Sequence, residues 1–339
     1  MPPRSLVTQS MMATTISCEE KARLRYVEKL ATPITGALSV GAAVHKGFEV
    51  ESATAALDYL VEARGELWTE FEEERLAQDS AIVQAIVEGG LELWDPWPSR
   101  PEVEFRVPYV NPRTGHPSRA HTFAGKIDGV FMPGEISLHL MDTLHGDFMS
   151  KGLTNHYPVL LEIKTTSRLD ASYLDRLDLD WQVSAYMPAA SSLYGAPVRQ
   201  MVYRICRKPQ IRPKSKIKRA NGLDEKGKAQ YLYSPETIEE YAERVREDYR
   251  ERPDFYFHEV VLTRTDEQIE RWLWEAWEVH ERILQIQNGA MTLRNVGHCL
   301  DFGRCPFFDL CRGVQSPEAF SVLPDPHPEL DGTNNEQAK

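Results

Sequence analysis

The chain has 339 residues, of which 42% are hydrophobic and 27% are charged, a composition typical of a folded globular protein. No segment approaches the roughly 20 consecutive apolar residues of a membrane helix, so we expect no spanning segment and no membrane partner. Residues 1–20 lack the apolar part of a secretory signal, and five cysteines is an odd number for a disulfide framework. We therefore expect a protein of the reducing cytoplasm.

The net charge of −12 is unevenly distributed along the chain. Residues 49–104 contain fifteen acidic and three basic side chains, whereas residues 204–219 contain eight basic side chains and no acidic one. Because salt screens each charged patch beyond about 10 Å, a basic segment attracts phosphate even on an acidic protein. A solvated basic loop is the alternative interpretation, and this segment alone does not distinguish the two.

The periodicity of apolar residues predicts helices first and strands next. Apolar residues in the acidic region recur near a 3.6-residue period, which predicts helices between about 52 and 92. Two strand-like runs follow within 102–131, separated by Asn-Pro and Thr-Gly signals that are typical of a hairpin. A polar connection is predicted around 133–156. Residues 158–166 then form the short, almost continuous apolar run of a central strand.

The second half of the chain predicts further helices around one more strand. Residues 174–194 favour a helix and residues 198–206 a strand. Ser234 and Pro235 are predicted to start another helix, and Thr265 with Gln268 forms a capping box for the last one. Residues 314–339 are rich in proline and acid, which predicts disorder. Strands between helical flanks indicate one α/β domain with helical additions.

Carboxylates occur on two of the predicted strands. The two-residue period of a strand directs Glu162 and Lys164 to one face and Ile163 to the other. Asp128 lies beside Gly129 in a strand, where Asp is disfavoured. A buried carboxylate and ammonium side by side need compensation, and two hard oxygen ligands suit Mg²⁺ or Mn²⁺. The alternatives are a strand-end ion pair for Glu162 with Lys164, and an Asx-type turn for Asp128.

Two further features have weaker signals of their own. His45 follows small apolar residues within a predicted helix, where a packed core histidine is the alternative. Gln182 and Tyr186 are spaced i, i+4, which places them on one face of a helix. Helix-surface polarity is the alternative for that pair.

The order of these elements is more specific than any one of them. His45, Asp128, Glu162-x-Lys164 and Gln182-x-x-x-Tyr186 resemble the motifs of the PD-(D/E)XK nuclease superfamily, and within it the RecB-type nucleases, over about residues 18 to 311. A departure is Pro188, which predicts a stop or kink just after Tyr186.

The resemblance implies a role for each of these residues. A Mg²⁺ or Mn²⁺ ion would be held by His45, Asp128, Glu162 and the backbone carbonyl of Ile163. Lys164 would orient or deprotonate the attacking water, which requires a lowered pKa. Gln182 and Tyr186 would hold the phosphate backbone.

Three cysteines cluster near the C-terminus. Cys299, Cys305 and Cys311 follow a C-x5-C-x5-C spacing, which favours metal over chance apolar packing. Zinc with His298 is one alternative; an iron–sulfur cluster would need a fourth cysteine. The chain also resembles the iron–sulfur members of this nuclease family, the AddB-type and CRISPR-associated exonucleases. That resemblance implies Cys18 as the fourth ligand of a [4Fe–4S] cluster. Cys206, on an apolar strand, is predicted to be a buried hydrophobe.

These observations combine into one expectation of fold. We expect an α/β, restriction-endonuclease-like mixed sheet flanked by helices, with an iron–sulfur cluster joining the N- and C-terminal parts. Residues 1–313 would form a single nuclease domain with a helical part at 18–100, a catalytic sheet at 101–210 and C-terminal helices with the cysteines at 234–313. The acidic tail, 314–339, would be disordered.

The expected function is that of a Mg²⁺- or Mn²⁺-dependent deoxyribonuclease, an exonuclease, in a bacterial cell or phage-infected host. It would act in DNA recombination, repair or replication, with protein partners from those processes. The DNA backbone, contacted with little sequence specificity, would lie along Arg204, Arg207, Lys208, Arg212, Lys214, Lys216 and Lys218. The alternatives are a catalytically inactive DNA-binding or assembly module of the same fold, and a zinc-stabilised phosphoesterase.

Overall fold

The N-terminal part of the protein is mainly helical. The structure is a computed structural model that describes residues 4–32, 36–65, 69–95, 97–136, 157–301, 303–327 and 330. Strand β1 (Ser5–Thr8) leads into α1 (Gln9–Ser17), and α2 (Glu19–Ala22) continues into a π-helical turn, Arg23–Val27. Helices α3 (Gly36–Glu49), α4 (Ala53–Arg64) and α5 (Glu70–Leu93) follow. The helices predicted within the acidic region are therefore confirmed.

The predicted hairpin and central strand are also confirmed. Strands β2 (Arg100–Val110) and β3 (Pro117–Phe131) pair antiparallel, and β4 (Val159–Thr166) follows. The apolar run of β4 is buried over its first five residues, as a central strand requires. Most of the predicted polar connection, residues 137–156, lies outside the described residues.

The helix predicted at 174–194 is two helices. Helix α6 (Ala171–Leu177) and helix α7 (Trp181–Tyr194) each begin after an aspartate, Asp170 or Asp180, whose side chain accepts a first-turn amide hydrogen bond. Helix α7 continues through Pro188, so the predicted stop is wrong. Strand β5 (Gln200–Arg207) comes next, close to its predicted position.

The remaining elements include a second, smaller sheet. Strands β6 (Ile217–Leu223) and β7 (Ala229–Ser234) form a two-stranded ribbon. Then follow α8 (Ile238–Glu251), α9 (Pro253–Tyr256), β8 (Phe257–Thr263), α10 (Asp266–Gln287), a 3₁₀ turn (Val296–His298), α11 (Phe308–Cys311) and a second 3₁₀ turn (Pro317–Ala319).

One predicted helix start is confirmed and one is wrong. Thr265 and Gln268 form the predicted capping box of α10. Ser234 instead ends β7, and α8 begins after Thr237. Thr237 and Glu240 exchange side-chain and backbone hydrogen bonds in a full capping box, which satisfies two amide donors and fixes the start there.

The large sheet is mixed and has helices on both faces. Its strand order is β1-β3-β4-β5-β8, with β2 also paired to β3. The pairs β1–β3 and β4–β5 are parallel, and the others are antiparallel. Side chains alternate across the pleat: Leu161 and Ile163 pack towards α3, α4, α5 and α8, whereas Leu160 packs towards α1, α7 and α10. The expected mixed α/β fold is confirmed, and no described helix is long and apolar enough to cross a membrane.

Part of the C-terminal tail is ordered against the N-terminal region. The Ala31 amide donates to the Ser321 carbonyl at 2.8 Å, and the Leu323 amide donates to the Lys29 carbonyl at 2.8 Å. His327 is buried and stacks on Tyr26, with ring centroids 5.4 Å apart. Residues 321–327 therefore depart from the predicted disorder, because main-chain pairing and an aromatic contact hold them.

Candidate active site

Asp128 lies where two neighbouring strands stop pairing. The β3–β4 ladder ends at Gly129 and Leu161, so the next residues, Asp128 and Glu162, face a widening gap. Asp128 Oδ2 accepts a hydrogen bond from the Ile163 amide at 2.7 Å. The carboxylate thus replaces the main-chain acceptor that β3 would otherwise supply, and its position is fixed by the sheet.

Helix α3 brings His45 to this carboxylate. His45 Nδ1 lies 3.4 Å from Asp128 Oδ1. The helix is held in place by Val44 and Phe48, both buried, and Phe48 stacks on Trp97 with ring centroids 5.1 Å apart. Helix α5 approaches closely at Gly90, where a Cβ would lie 2.6 Å from the Phe48 ring. The buried face of α3 is therefore packed against α5 and Trp97, and this packing positions the imidazole of His45.

Glu162 is the most buried ionisable group of the site, with 1% of its surface exposed. Its Oε1 accepts hydrogen bonds from Lys164 Nζ and, at 2.8 Å, from Gln182 Nε2. Gln182 also donates to the Tyr186 hydroxyl at 3.2 Å, which shows that these two residues share one face of α7. The structure thus brings Glu162, Lys164, Gln182 and Tyr186 into one connected group.

The second oxygen of Glu162 is not paired in this way. Glu162 Oε2 is buried and has no hydrogen-bond partner among the described residues. Leaving a buried carboxylate oxygen unsatisfied costs about 1–3 kcal/mol or more, since it has lost its water. Such an atom, beside a second carboxylate, is what a cation site provides before its ion is bound.

The pKa values of Glu162 and Asp128 are shifted in opposite directions. Burial and then the nearby charge of Asp128 raise the pKa of Glu162 to about 7. Burial also acts to raise the pKa of Asp128, but His45, Lys164 and the Ile163 amide outweigh it and hold that pKa below its ordinary value. Paired carboxylates with separated pKa values are typical of functional sites.

The two bases of the site both favour their protonated forms. Burial acts to lower the pKa of His45, but the attraction of Asp128 outweighs it and the pKa is raised. Burial likewise acts to lower the pKa of Lys164, yet Glu162 and Asp128 raise it well above its ordinary value. Without a bound ion the pKa of Lys164 is therefore raised, because two carboxylates face the ammonium group; the lowering expected beside a metal stays a prediction.

Glu102 is a site residue that the sequence analysis missed. The flanking pairs, Pro101 with Gly129 and Val103 with Ile127, place it opposite Asp128 across the hairpin. One ligand atom each from His45, Glu102 and Asp128 lie within 4.8 Å of one another, which no other described group of three such residues achieves. The hairpin register would have revealed it, had the pairing been fixed from the sequence.

Glu102 is held in place at some cost. Its φ is 51°, a left-handed conformation that is rare outside glycine. It forms an ion pair with Lys126, at 2.5 Å. Burial and then the charge of Asp128 raise its pKa. Glu102 and Asp128 line a cleft of about 200 Å³ together with His45, Glu49, Glu51, Phe48, Trp97, Pro98, Ser99, Pro101, Leu161 and Ile163.

The predicted basic stripe divides into a buried and an exposed part. Arg204 is 0% exposed, bonds to Glu259 at 2.6 Å and lies 4.9 Å from the centre of the Trp97 ring, so its predicted contact with DNA is wrong. The reason is that β5 is a central strand. Arg207 and Lys208 are half-buried, and Arg207 lies 4.0 Å over the Phe255 ring. The exposed members are Arg212, Lys214, Lys216 and Lys218.

The four predicted cluster cysteines lie where the two ends of the chain meet. Cys18, Cys299, Cys305 and Cys311 are half-buried. The Glu20 amide donates to the Leu293 carbonyl at 3.2 Å, and the Cys305 amide donates to the Cys299 carbonyl at 2.9 Å. Burial raises the pKa of Cys311, and Glu20, Cys305 and Cys18 raise it further, which places Cys18 and Cys305 beside it.

Cys206 and His298, the histidine of the alternative zinc site, have other surroundings. Cys206 is buried on β5, as predicted, and burial raises its pKa above the ordinary value. His298 Nδ1 lies 2.6 Å from Asp301 Oδ2. In the described part of the chain, no three cysteine sulfurs lie within 4.8 Å of one another.

Comparisons with known proteins add little to this geometry. No model of a protein family matches the chain, and no curated protein matches it. A solved structure from Eubacterium rectale, titled "Putative exonuclease", is 14% identical with a TM-score of 0.49, over 92% of this chain and 89% of that one. A likeness of this degree carries no argument about function, so the case for function rests on the site itself.

Proposed function

We propose that this protein is a nuclease that depends on Mg²⁺ or Mn²⁺ and hydrolyses phosphodiester bonds in DNA, as an exonuclease. The observation that carries the proposal is the buried Oε2 of Glu162, which has no hydrogen-bond partner among the described residues. Glu162 and Asp128 both lie just beyond the last paired residues of β3 and β4. A hard divalent cation would satisfy that oxygen and reduce the repulsion between the two carboxylates.

The chemistry of the donor set suits such an ion, and the trio whose ligand atoms already lie within 4.8 Å of one another is His45, Glu102 and Asp128. Asp128, Glu162 and His45 would hold it, with the backbone carbonyl of Ile163 and, we add, Glu102. When bound, the ion would neutralise charge on the scissile phosphate and lower the pKa of a water molecule. Carboxylate oxygens with one imidazole match Mg²⁺ and Mn²⁺ better than they match a thiolate-seeking metal.

The other residues of the site act on the water and the phosphate. Lys164 shares Glu162 Oε1 with Gln182, so its ammonium group is fixed beside the gap. There it would orient the attacking water. Offsetting the carboxylate charge would also lower the Lys164 pKa towards the range useful for proton transfer. Burial raises the pKa of Tyr186, so its hydroxyl stays a neutral donor that would hold the phosphate backbone with Gln182.

We further propose that the four cysteines hold a [4Fe–4S] cluster with a structural role. One tetrahedral zinc ion would require its sulfurs to lie about 3.8 Å apart, since Zn–S bonds are about 2.3 Å long. Among the described residues, no three cysteine sulfurs lie even within 4.8 Å of one another. A cluster is larger than a single ion, and it would join the helices after Cys18 to the segment that contains Cys299, Cys305 and Cys311.

To test this function, purified protein is incubated with linear or circular DNA, each single- or double-stranded, in the presence of Mg²⁺ or Mn²⁺. We expect linear DNA to be degraded and circular DNA to survive, as exonuclease action requires. Asp128→Asn should abolish cleavage, whereas Asp58→Asn, on the exposed face of α4, should cleave as the wild type does. Equal cleavage by wild type and Asp128→Asn would reveal a contaminant and contradict the proposal.

The same preparation distinguishes the alternatives. DNA binding without cleavage under any metal would indicate an inactive binding or assembly module. Zinc without iron and sulfide, in protein purified without air, would contradict the cluster and favour a zinc-stabilised phosphoesterase. We also propose that the protein partners of this chain come from DNA recombination, repair or replication.

A further inference from the structure

The ribbon formed by β6 and β7 is an unusual surface feature. Among the described strands, β6 and β7 pair only with each other. The ribbon nevertheless exposes large side chains: Tyr231 is 47% exposed, Tyr233 is 64% exposed, and Leu223 and Leu232 are more than half exposed. A two-stranded ribbon gains little stability by itself, and grouped exposed apolar side chains commonly mark a binding surface.

One face of the ribbon combines aromatic rings with positive charge. Lys218 pairs with Tyr233, and Ala220 pairs with Tyr231, so these four side chains share a face. Lys218 Nζ lies 3.6 Å from the centre of the Tyr231 ring. Residues 214–234 contain six basic side chains and two acidic ones, in a protein whose net charge is −12.

The chain leaves the large sheet towards the ribbon at the C-terminal ends of β4 and β5, where the candidate active site also lies. Strand β5 runs parallel to β4, and its last residue, Arg207, pairs with Thr166 just beyond Lys164. The Lys208 amide then donates to the Thr166 carbonyl at 2.7 Å. The base of the ribbon is anchored to the start of α8, since the Lys214 amide donates to Glu236 at 2.8 Å and Arg219 pairs with Glu240.

We propose that this ribbon binds single-stranded DNA, with bases stacked on Tyr231 and Tyr233 and phosphates near Lys218, Lys216 and Lys214. The inference rests on the proposed nuclease function, and it names the form of DNA that is delivered to the site. Alternate residues of a strand lie about 6.8 Å apart, which leaves room for one base between the two rings. Bases in a duplex are already stacked and paired, so exposed rings favour a single strand over a duplex.

The test measures the affinity for a fluorescent single-stranded oligonucleotide and for a duplex of equal length, in EDTA so that no cleavage occurs. Tyr231→Ala with Tyr233→Ala should weaken single-strand binding about tenfold or more, with little change for the duplex. Tyr231→Phe with Tyr233→Phe should bind as the wild type does, because the rings remain. Tyr231→Leu with Tyr233→Leu keeps the apolar bulk without the rings and should bind as weakly as the alanine pair. Tyr59→Ala, which removes an exposed tyrosine of α4, is the matched control.

Unchanged single-strand affinity in the alanine pair would overturn the inference, as would equal losses for single strand and duplex. Wild-type affinity in the leucine pair would also overturn it, since stacking requires the rings. DNA cleavage, which tests the proposed function, is measured in a separate assay. Asp128→Asn should bind single strands normally while cleaving nothing, so a failure of cleavage and a failure of the ribbon are distinguishable.

Discussion

At the scale of single residues, the site is dominated by two carboxylates, Asp128 and Glu162, whose negative charges repel each other. Asp128 is stabilised as an anion by His45 and by the Ile163 amide, and its charge in turn opposes ionisation of Glu162. The protein alone therefore holds Glu162 near its point of half-protonation at neutral pH. A cation would shift that balance, because it stabilises both anions at once.

The first prediction concerns pH and Glu162. Its pKa is raised from 4.5 to about 7, so its contribution to stability is full below 4.5 and is lost as pH rises through about 7. In EDTA, the wild type should lose on the order of 2 kcal/mol between about pH 5 and about pH 8, relative to Glu162→Gln. Thermal unfolding across that range checks this. Parallel profiles for the two proteins would contradict the account.

The second prediction concerns Glu102. If it joins Asp128 and His45 around the ion, then Glu102→Gln should weaken Mn²⁺ binding about tenfold or more, because a charged oxygen is removed and Lys126 is left unpaired. Calorimetric titration with Mn²⁺ measures the change. Glu104→Gln, two residues along β2, is the matched control and should bind normally. Equal affinity in the two variants would remove Glu102 from the site.

At the scale of elements, the position of Asp128 depends on how closely Pro98 and Leu161 approach the neighbouring Gly129. Gly129 follows Asp128 on β3, and a Cβ there would lie 2.5 Å from Pro98 Cγ and 3.3 Å from Leu161 Cδ2. Gly41 on α3 is different, since its nearest neighbour would be Thr165 Oγ1 at an ordinary 3.4 Å. The two positions therefore form a matched pair.

The third prediction follows from this pair. Gly129→Ala should lower the free energy of unfolding by about 1–3 kcal/mol and weaken metal binding, because relief of the clash shifts Asp128. Gly41→Ala should be neutral or stabilising by about 0.5–1 kcal/mol, since alanine favours a helix. Chemical denaturation measures both. A stable Gly129→Ala with full metal affinity would show that the strand ends need not be so close.

At the scale of the whole molecule, N- and C-terminal segments of the chain contact each other beside four cysteines. Arg282 pairs with Glu19 at 2.5 Å, and Arg294 donates to the Cys311 carbonyl at 2.9 Å, so contacts between the ends exist beside the thiols. Leu24, Leu30 and Phe307 form a small buried cluster at the same place. A cluster bound there would stabilise the N- and C-terminal segments together.

The fourth prediction tests that joint role. Cys18→Ser and Cys305→Ser should each lose iron and lower the unfolding temperature by a similar amount, because either change opens the same cluster. Iron and sulfide analysis with thermal unfolding checks this. Cys206→Ala, at a buried cysteine of β5, should retain its iron. Full iron content in Cys18→Ser would remove the N-terminal cysteine from the cluster.

The fifth prediction concerns long-range charge. Binding of DNA should weaken steeply with salt, and Lys214→Ala, Lys216→Ala and Lys218→Ala together should reduce the salt slope by about two to three. Arg204→Lys, at a buried position, should leave the slope unchanged. An unaltered slope in the triple variant would exclude the exposed stripe from DNA binding.

The sequence predicted most of the sheet and its helices, because apolar periodicity and capping residues act locally. It also named His45, Asp128, Glu162, Lys164 and Gln182, which the structure brings together. What it could not predict depends on partners distant in sequence. Arg204 is buried because β8 supplies Glu259, and Glu102 reaches the site only through the hairpin register. The direction of the Lys164 pKa depends on two carboxylates from different strands.

Binding of a divalent cation between Asp128 and Glu162 can be observed in a crystal grown with Mn²⁺ and measured for anomalous scattering at the manganese edge. We expect a peak bonded to the carboxylates of Asp128 and Glu162 and to the imidazole of His45. The Glu162 oxygen that lacks a protein partner should be among the ligands. An ion bound elsewhere, or no ion while that oxygen stays unbonded, would contradict the proposed metal site.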